Sequence, residues 1–245
     1  MVGRAGELRA IRSLPEFFEL MFDRRESVFS SDGALLLKGA LQPCMEALEA
    51  AVENLPTDEA GLRIHGIPAL NQIIAATGCI GMAARSILGK ATRPVRAILF
   101  NKSATTNWAL GWHQDRTICV KARHNVPGFG PWTIKRGMHH VAPPVELLTR
   151  MVTARAHLDD VPETNAPLII APGSHVLGRI AVGDVAATVS ACGARPCLAV
   201  AGDLWLYSTP ILHASKVASA PNSRRVLQVD YAAEDMPGGL EWLGV

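Results

Sequence analysis

The sequence predicts a mainly β protein, an antiparallel sandwich or barrel with helices at its N-terminal side. Up to about Gly89, apolar residues recur at helical spacing. From Arg93 onward the texture changes to short apolar runs separated by Gly, Pro, Asn and Asp. Many short strands with such punctuation imply sheets packed face to face or closed on themselves.

The elements follow in order. Ser13-Leu14-Pro15-Glu16 reads as a helix N-cap with proline in the first turn, leading into FFELMFDRRE. Pro43 to Leu55 places Met45, Leu48, Val52 and Leu55 at a helical period, and a third helix is expected over much of Ala69 to Leu88. Strands are expected at Val95–Phe100, Thr117–Lys121, Met151–Leu158, Leu168–Ala171, Cys197–Val200, Leu204–Tyr207 and Val226–Tyr231. Between them stand the turn signals Pro172-Gly173-Ser174, Ala201-Gly202-Asp203 and Ala220-Pro221-Asn222. No repeat or linker interrupts the chain. Residues 1–245 read as one domain, with 1–92 a mostly helical part packed on a β-core of 93–235.

Composition excludes several classes. The 245 residues are 49% hydrophobic and 19% charged, as in an ordinary globular protein. A net charge of +2, with the basic residues scattered, gives no nucleic-acid footprint. The cysteines (Cys44, Cys79, Cys119, Cys192, Cys197) are odd in number and lack CxxC spacing, so free thiols in a reducing cytosol are expected. The charged N-terminus lacks the apolar region of a secretory signal. Gly66–Ala84 carries no charge and is about as long as a membrane span, but Pro68, Asn71, Gln72 and its glycines favour a buried helix. A cytoplasmic protein without nucleic-acid or membrane partners is the expectation; oligomeric state is left open.

His113-Gln114-Asp115 carries the chemistry. On an extended segment an imidazole and a carboxylate two residues apart point the same way. Neutral imidazole and carboxylate suit Fe(II), and two His with one carboxylate leave open positions for cosubstrate and dioxygen. His213 supplies the distant histidine, and Ser215 and Arg224-Arg225 follow it. A guanidinium near a metal can hold a carboxylate through two parallel hydrogen bonds, as lysine cannot. A solvated charge at a strand start is the competing account of both arginines. Of the other histidines, adjacent His139 and His140 face opposite sides of a strand and chelate poorly, while His157 faces the interior or stands behind the site.

The segments WHQD (112–115), HLDD (157–160), NAPLIIAPGSH (165–175), GDLWLYSTPILHAS (202–215) and NSRRVLQVDYA (222–232) together resemble the phytanoyl-CoA dioxygenase family. The resemblance implies a double-stranded β-helix (jelly roll, cupin-like) and an oxygenase using Fe(II), 2-oxoglutarate and O2, with ascorbate as a candidate reductant. It implies His113, Asp115 and His213 as iron ligands and catalytic centre. Arg224 falls on the arginine that binds the distal carboxylate of 2-oxoglutarate, and Ser215 on a hydroxyl that assists it. Gln114 sits inside the triplet, and Asn101 and Thr153 match polar positions around the cosubstrate. Asp115 stands where halogenating relatives have Gly or Ala, which implies hydroxylation of an unactivated C–H bond of a small molecule, or another hydrogen-abstraction outcome, rather than halogenation, with release of succinate and CO2. Ala166 departs from the usual Asn-Gly turn. The alternative is a jelly roll that binds metal without oxygenase activity. Trp108, Trp112, Phe129, Trp132 and Met138 either line an apolar pocket or pack in the core, and Arg123–His140 is a candidate lid.

Overall fold

Two antiparallel sheets face each other, and the larger turns a polar face inward. The computed structural model describes residues 26–245; the expected helix start at Ser13–Glu16 lies outside them. In chain order the elements are α1 (Glu26–Asp32), β1 (Ala34–Leu37), α2 (Met45–Val52), β2 (Gly61–Ile64), α3 (Pro68–Ile74), α4 (Cys79–Leu88) and β3 (Arg93–Lys102). There follow β4 (Leu110–His113), β5 (Ile118–Val120), β6 (Trp132–Lys135), β7 (Met138–Val141), α5 (Val145–Thr149), β8 (Val152–His157) and β9 (Leu168–Ile170). The last are α6 (Val185–Cys192), β10 (Arg195–Cys197), β11 (Leu204–Ser208), β12 (His213–Ser215) and β13 (Arg224–Ala232).

Among the described residues the major sheet has six strands in the order β1-β11-β8-β13-β3-β2, and the minor sheet runs β10-β9-β12-β4. Strands β5, β7 and β6 make a third, small sheet. This is the jelly roll of the cupin-like type.

Strand alternation explains the polar inner face. On β13, Leu227, Val229 and Tyr231 point outward and pack with Ala97, Leu99, Ala154, Ala156 and the helices in one apolar core. The intervening Arg224, Gln228 and Asp230 point inward and are buried. Tyr231 is fully buried and donates its hydroxyl hydrogen to the Ile74 carbonyl at 2.8 Å, fastening the sheet to α3. At one end the two sheets close on an apolar cluster that includes Trp205, Tyr207, Ile170 and Cys197.

Four local differences from the sequence expectations have identifiable causes. The third helix is two helices, broken at 75–78: the Gly78 amide donates to the Ala75 carbonyl at 2.7 Å. A Cβ on Gly78 would lie 2.1 Å from the Gln72 carbonyl oxygen, so only glycine lets the chain turn this tightly. The N-terminal part is not only helical: ALLL and GLRI form β1 and β2, at opposite edges of the major sheet, in runs too short for periodicity to register. The strand expected at Cys197–Val200 lies earlier, at Arg195–Cys197, and Leu198 instead offers its carbonyl to the Trp205 indole at 2.9 Å. Much of Arg123–His140 is the β6–β7 hairpin rather than an irregular loop, with Trp132 and Phe129 packed into a second core cluster. All five cysteines are free thiols, and no helix among the described residues is long and apolar enough to cross a membrane.

Candidate metal centre

Strand β4 ends on His113 and β12 begins on His213, and the two are direct partners in the antiparallel ladder. Their rings stand 4.3 Å apart between centroids, tilted by 57°. Asp115 follows just past the end of β4, and the ligand atoms of His113, Asp115 and His213 all lie within 4.8 Å of one another. All three side chains are half-buried, open to one cavity.

The histidines are oriented by backbone. His113 Nδ1 lies 2.8 Å from the Gly111 carbonyl and His213 Nδ1 lies 3.0 Å from the Ile211 carbonyl, each two residues upstream. An Nδ1–H donating there leaves Nε2 as the free lone pair of each ring. Burial pushes the His213 pKa down to about 4, so the ring is neutral, as a ligand must be. For Asp115, burial opposes ionisation, but the Arg96 guanidinium beside it outweighs burial and holds the carboxyl below its usual range. Arg96 extends Nη2 to 3.5 Å from Asp115 Oδ2 and binds Asp230 through Nε. Thr153 donates to the other Asp230 oxygen at 3.0 Å.

The cavity beside the triad measures about 220 Å³ and is lined by Ile98, Phe100, Trp108, Leu110, Arg155, Ser215, Arg224 and Gln228 among others. Arg224 is 3% exposed, donates to the Ala166 carbonyl, and keeps its Nε unpartnered. Burial, reinforced by Arg155, pushes its pKa down to about 10, which leaves it charged at neutral pH. Arg225, on the other side of the strand, is spent on Asp159, which takes a hydrogen bond from its Nη2 at 2.7 Å. Lys102 stands beside Arg224 in register, with Nζ 2.6 Å from the Lys216 carbonyl, 3.4 Å from Ser215 Oγ and 4.8 Å from the Trp108 ring centre.

Three of the sequence-derived residues fall elsewhere. Gln114 turns away from the triad and is a clamp: its amide donates to the Gly178 and Pro210 carbonyls at 2.9 and 2.8 Å and accepts from the Ile180 N–H at 2.9 Å. Adjacent residues on an extended segment face opposite ways, so Gln114 cannot share the side of His113 and Asp115. Asn101 fails for the same reason: Phe100 and Lys102 face inward, while Asn101 bonds the Pro56 and Glu59 carbonyls on the outer face. Thr153 lies on the inner face but supports Asp230 rather than lining the cavity.

Of the aromatic candidates, Trp108 lines this cavity and Trp112 a separate outer groove. His140 is fully buried and bonded through Nε2 to Cys119 Sγ at 3.0 Å, away from the triad. Arg96, Lys102, Arg155, Gln228 and Asp230 escaped the sequence reading. Their signal is a shared alternate face: Thr153, Arg155 and His157 hold every second position of β8, and Arg96 with Lys102 on β3 and Arg224, Gln228 and Asp230 on β13 lie in the same phase among apolar residues.

The family model described as Phytanoyl-CoA dioxygenase (PhyH) matches residues 29–226. Among curated proteins no sequence matches. HygX from Streptomyces hygroscopicus, solved with iron bound, shares the fold at a TM-score of 0.60 and 14% identity, over 86% of each chain. EctD from S. alaskensis, solved with 2-oxoglutarate and 5-hydroxyectoine, superposes at 0.60 with 16% identity, over 86% of this chain and 75% of its own. The epimerase SnoN of nogalamycin biosynthesis, in complex with Fe3+, alpha ketoglutarate and nogalamycin RO, gives 0.63 and 18% over 90% and 92%. At these identities the likeness is one of fold.

Proposed function

The chain belongs to the phytanoyl-CoA dioxygenase family, and from that premise we propose that it is an Fe(II)- and 2-oxoglutarate-dependent oxygenase hydroxylating an unactivated C–H bond of a small organic molecule. One O2 and one 2-oxoglutarate would be consumed: one oxygen atom enters the product as hydroxyl, the other enters succinate, and CO2 leaves. A single observation carries this reading. His113, Asp115 and His213 line the same cavity as Arg224 and Ser215, which a protein that only stored metal would not need.

The residues fit iron. Two imidazoles with Nε2 free and one ionised carboxylate are the donor set suited to Fe(II), with positions left open. Bound there, iron with 2-oxoglutarate would supply the oxidising power for breaking a C–H bond. The chain's own groups do the rest. Gly111 and Ile211 carbonyls fix the ring tautomers, and Arg96 holds Asp115 in its ionised form. Arg224, with its Nε unpartnered, would take the distal carboxylate of 2-oxoglutarate, and Ser215, oriented by Lys102, would add a hydroxyl contact. Phe100, Trp108, Leu110 and Ile98 keep water from the reacting end. Asp115 in the triplet favours hydroxylation over halogen transfer; because the fold also serves an epimerase, the product decides the outcome.

The test is succinate formation from 2-oxoglutarate with Fe(II), ascorbate and O2. Wild type is expected to turn over slowly without substrate, and Asp115→Ala not at all. Absence of calorimetric 2-oxoglutarate binding by metal-loaded wild type would sink the proposal.

A further inference from the structure

The cavity holds more positive charge than this chemistry uses. Arg63, Arg96, Lys135, Arg155 and Arg224 line it against one carboxylate, Asp115. Arg96 is matched by Asp230 and Asp115, and Arg224 by the cosubstrate under the proposed reading. Among the described residues, Arg63, Lys135 and Arg155 have no carboxylate within ion-pair distance. Arg63 also keeps a buried Nε without a partner. Burial, and then the charge of Arg96, push its pKa down. Holding Arg63 and Arg155 partly or wholly out of water costs desolvation and repulsion, which an arriving anion relieves, and Lys135 adds an exposed cation at the rim.

Their position separates them from the cosubstrate. Arg63 stands on β2 opposite Ile98, whereas Arg224 stands on β13 opposite Lys102. That is four residues along β3 and two strand spacings across the sheet, roughly 13 Å by 10 Å. A short diacid bridging the triad and Arg224 leaves the β2 side free. Lys135 reaches that side from the tip of the β6–β7 hairpin, which Arg136 fastens to Glu59. Arg155, bonded to Gln228 at 2.9 Å and lying over Phe100, adds positive field between the two ends. The volume of about 220 Å³ falls below the roughly 300–1,000 Å³ of pockets that enclose drug-sized ligands. Only a small molecule, or one end of a larger one, fits beside 2-oxoglutarate.

We propose that the molecule oxidised is an anion, a small carboxylic acid or phosphate monoester whose negative group is held by Arg63 and Lys135 on the β2 side while its reacting carbon faces His113, Asp115 and His213. The assignment rests on the oxygenase reading.

The protein is loaded with Mn(II), a redox-stable stand-in for iron, and with 2-oxoglutarate, whose binding calorimetry follows. Metal-induced proton relaxation is then measured for hexanoate, hexyl phosphate and neutral hexanamide. The expected result is relaxation of one or both anions well beyond the amide; which anion responds separates the carboxylate from the phosphate source. Arg63→Gln with Lys135→Gln weakens that binding about tenfold or more, as loss of charge-assisted hydrogen bonds should. Lys90→Gln, an exposed lysine outside the cavity, leaves it unchanged. The assignment is overturned if neither anion exceeds the amide, or if the double variant binds anions like wild type. It is overturned too if the double variant loses 2-oxoglutarate affinity as steeply as anion affinity, since both cations would then belong to the cosubstrate pocket. Failure of wild type to bind 2-oxoglutarate at all sinks the oxygenase reading first, and this assignment with it.

Discussion

Arg96 backs Asp115: its Nη2 lies 3.5 Å from the Asp115 carboxylate while its Nε is bound to Asp230. The arginine belongs at once to the metal site and to a buried ion pair, and removing it should register in both.

Arg96→Met strands Asp230, a buried carboxylate, and is expected to cost about 3–5 kcal/mol in denaturant unfolding. Adding Asp230→Asn should recover part of that loss. Metal affinity, read by chelator competition, should fall about 10–100-fold in both proteins. A full return of metal affinity in the double variant would show that Arg96 acts on stability alone.

Arg224 and Arg225 are neighbours on opposite faces of β13. Arg224→Leu should raise the 2-oxoglutarate concentration for half-maximal turnover by about 30-fold or more while bound metal persists. Arg225→Leu breaks a partly exposed pair with Asp159 and should cost about 1 kcal/mol or less of stability, with cosubstrate demand unmoved. The reverse pattern would put the anchor on the other face of β13.

Ala166 adopts a left-handed backbone at φ +49°, and its carbonyl accepts from Arg224. An L-residue there is strained by about 1–2 kcal/mol, against about 0.5–1 kcal/mol of chain entropy that glycine loses on folding. Ala166→Gly should therefore raise the unfolding midpoint slightly, by about 1–3 °C for a chain of this length. A clear drop would mean that the methyl group's burial outweighs the strain.

Acid should destabilise the metal-free protein through two buried histidines. Burial pushes His157 down to about 3 and His213 down to about 4, from an ordinary 6.5. Below 6.5 the unfolded chain takes up protons that the folded chain refuses, so stability falls as pH drops from 6.5 toward 4. Both nitrogens of His157 are buried without partners, so His157→Leu should flatten the slope in denaturant midpoints between pH 7 and 5. An unchanged slope would remove His157 from the account.

The triad was legible because its donors are uncommon residue types at a spacing that extended backbone converts into one face. Arg224 was singled out through the family resemblance; by itself the sequence left both arginines as possible solvated charges, and the strand's register puts only Arg224 on the cavity side. Asn101 shows the limit: one residue separates the cavity face of β3 from the outer face, and sequence alone did not fix the phase. The strands β1 and β2 were missed because four residues carry too little periodicity, and the break between α3 and α4 because the apolar spacing does not mark where Gly78 turns back against the Gln72 carbonyl. Lys102 and Arg96 look like ordinary strand-end cations until the fold shows what they face.

The edge position of β2 has a wider consequence. The candidate metal donors hang on β4, β12 and the turn after β4, and the proposed cosubstrate anchor on β13, whereas Arg63 rides on a short outer strand. Under the proposed reading, chemistry and selectivity are written on separable stretches of chain. A protein with this scaffold could then change its diet by exchanging residues 61–64 and the β6–β7 hairpin without rebuilding the reactor, and engineers could do the same by grafting.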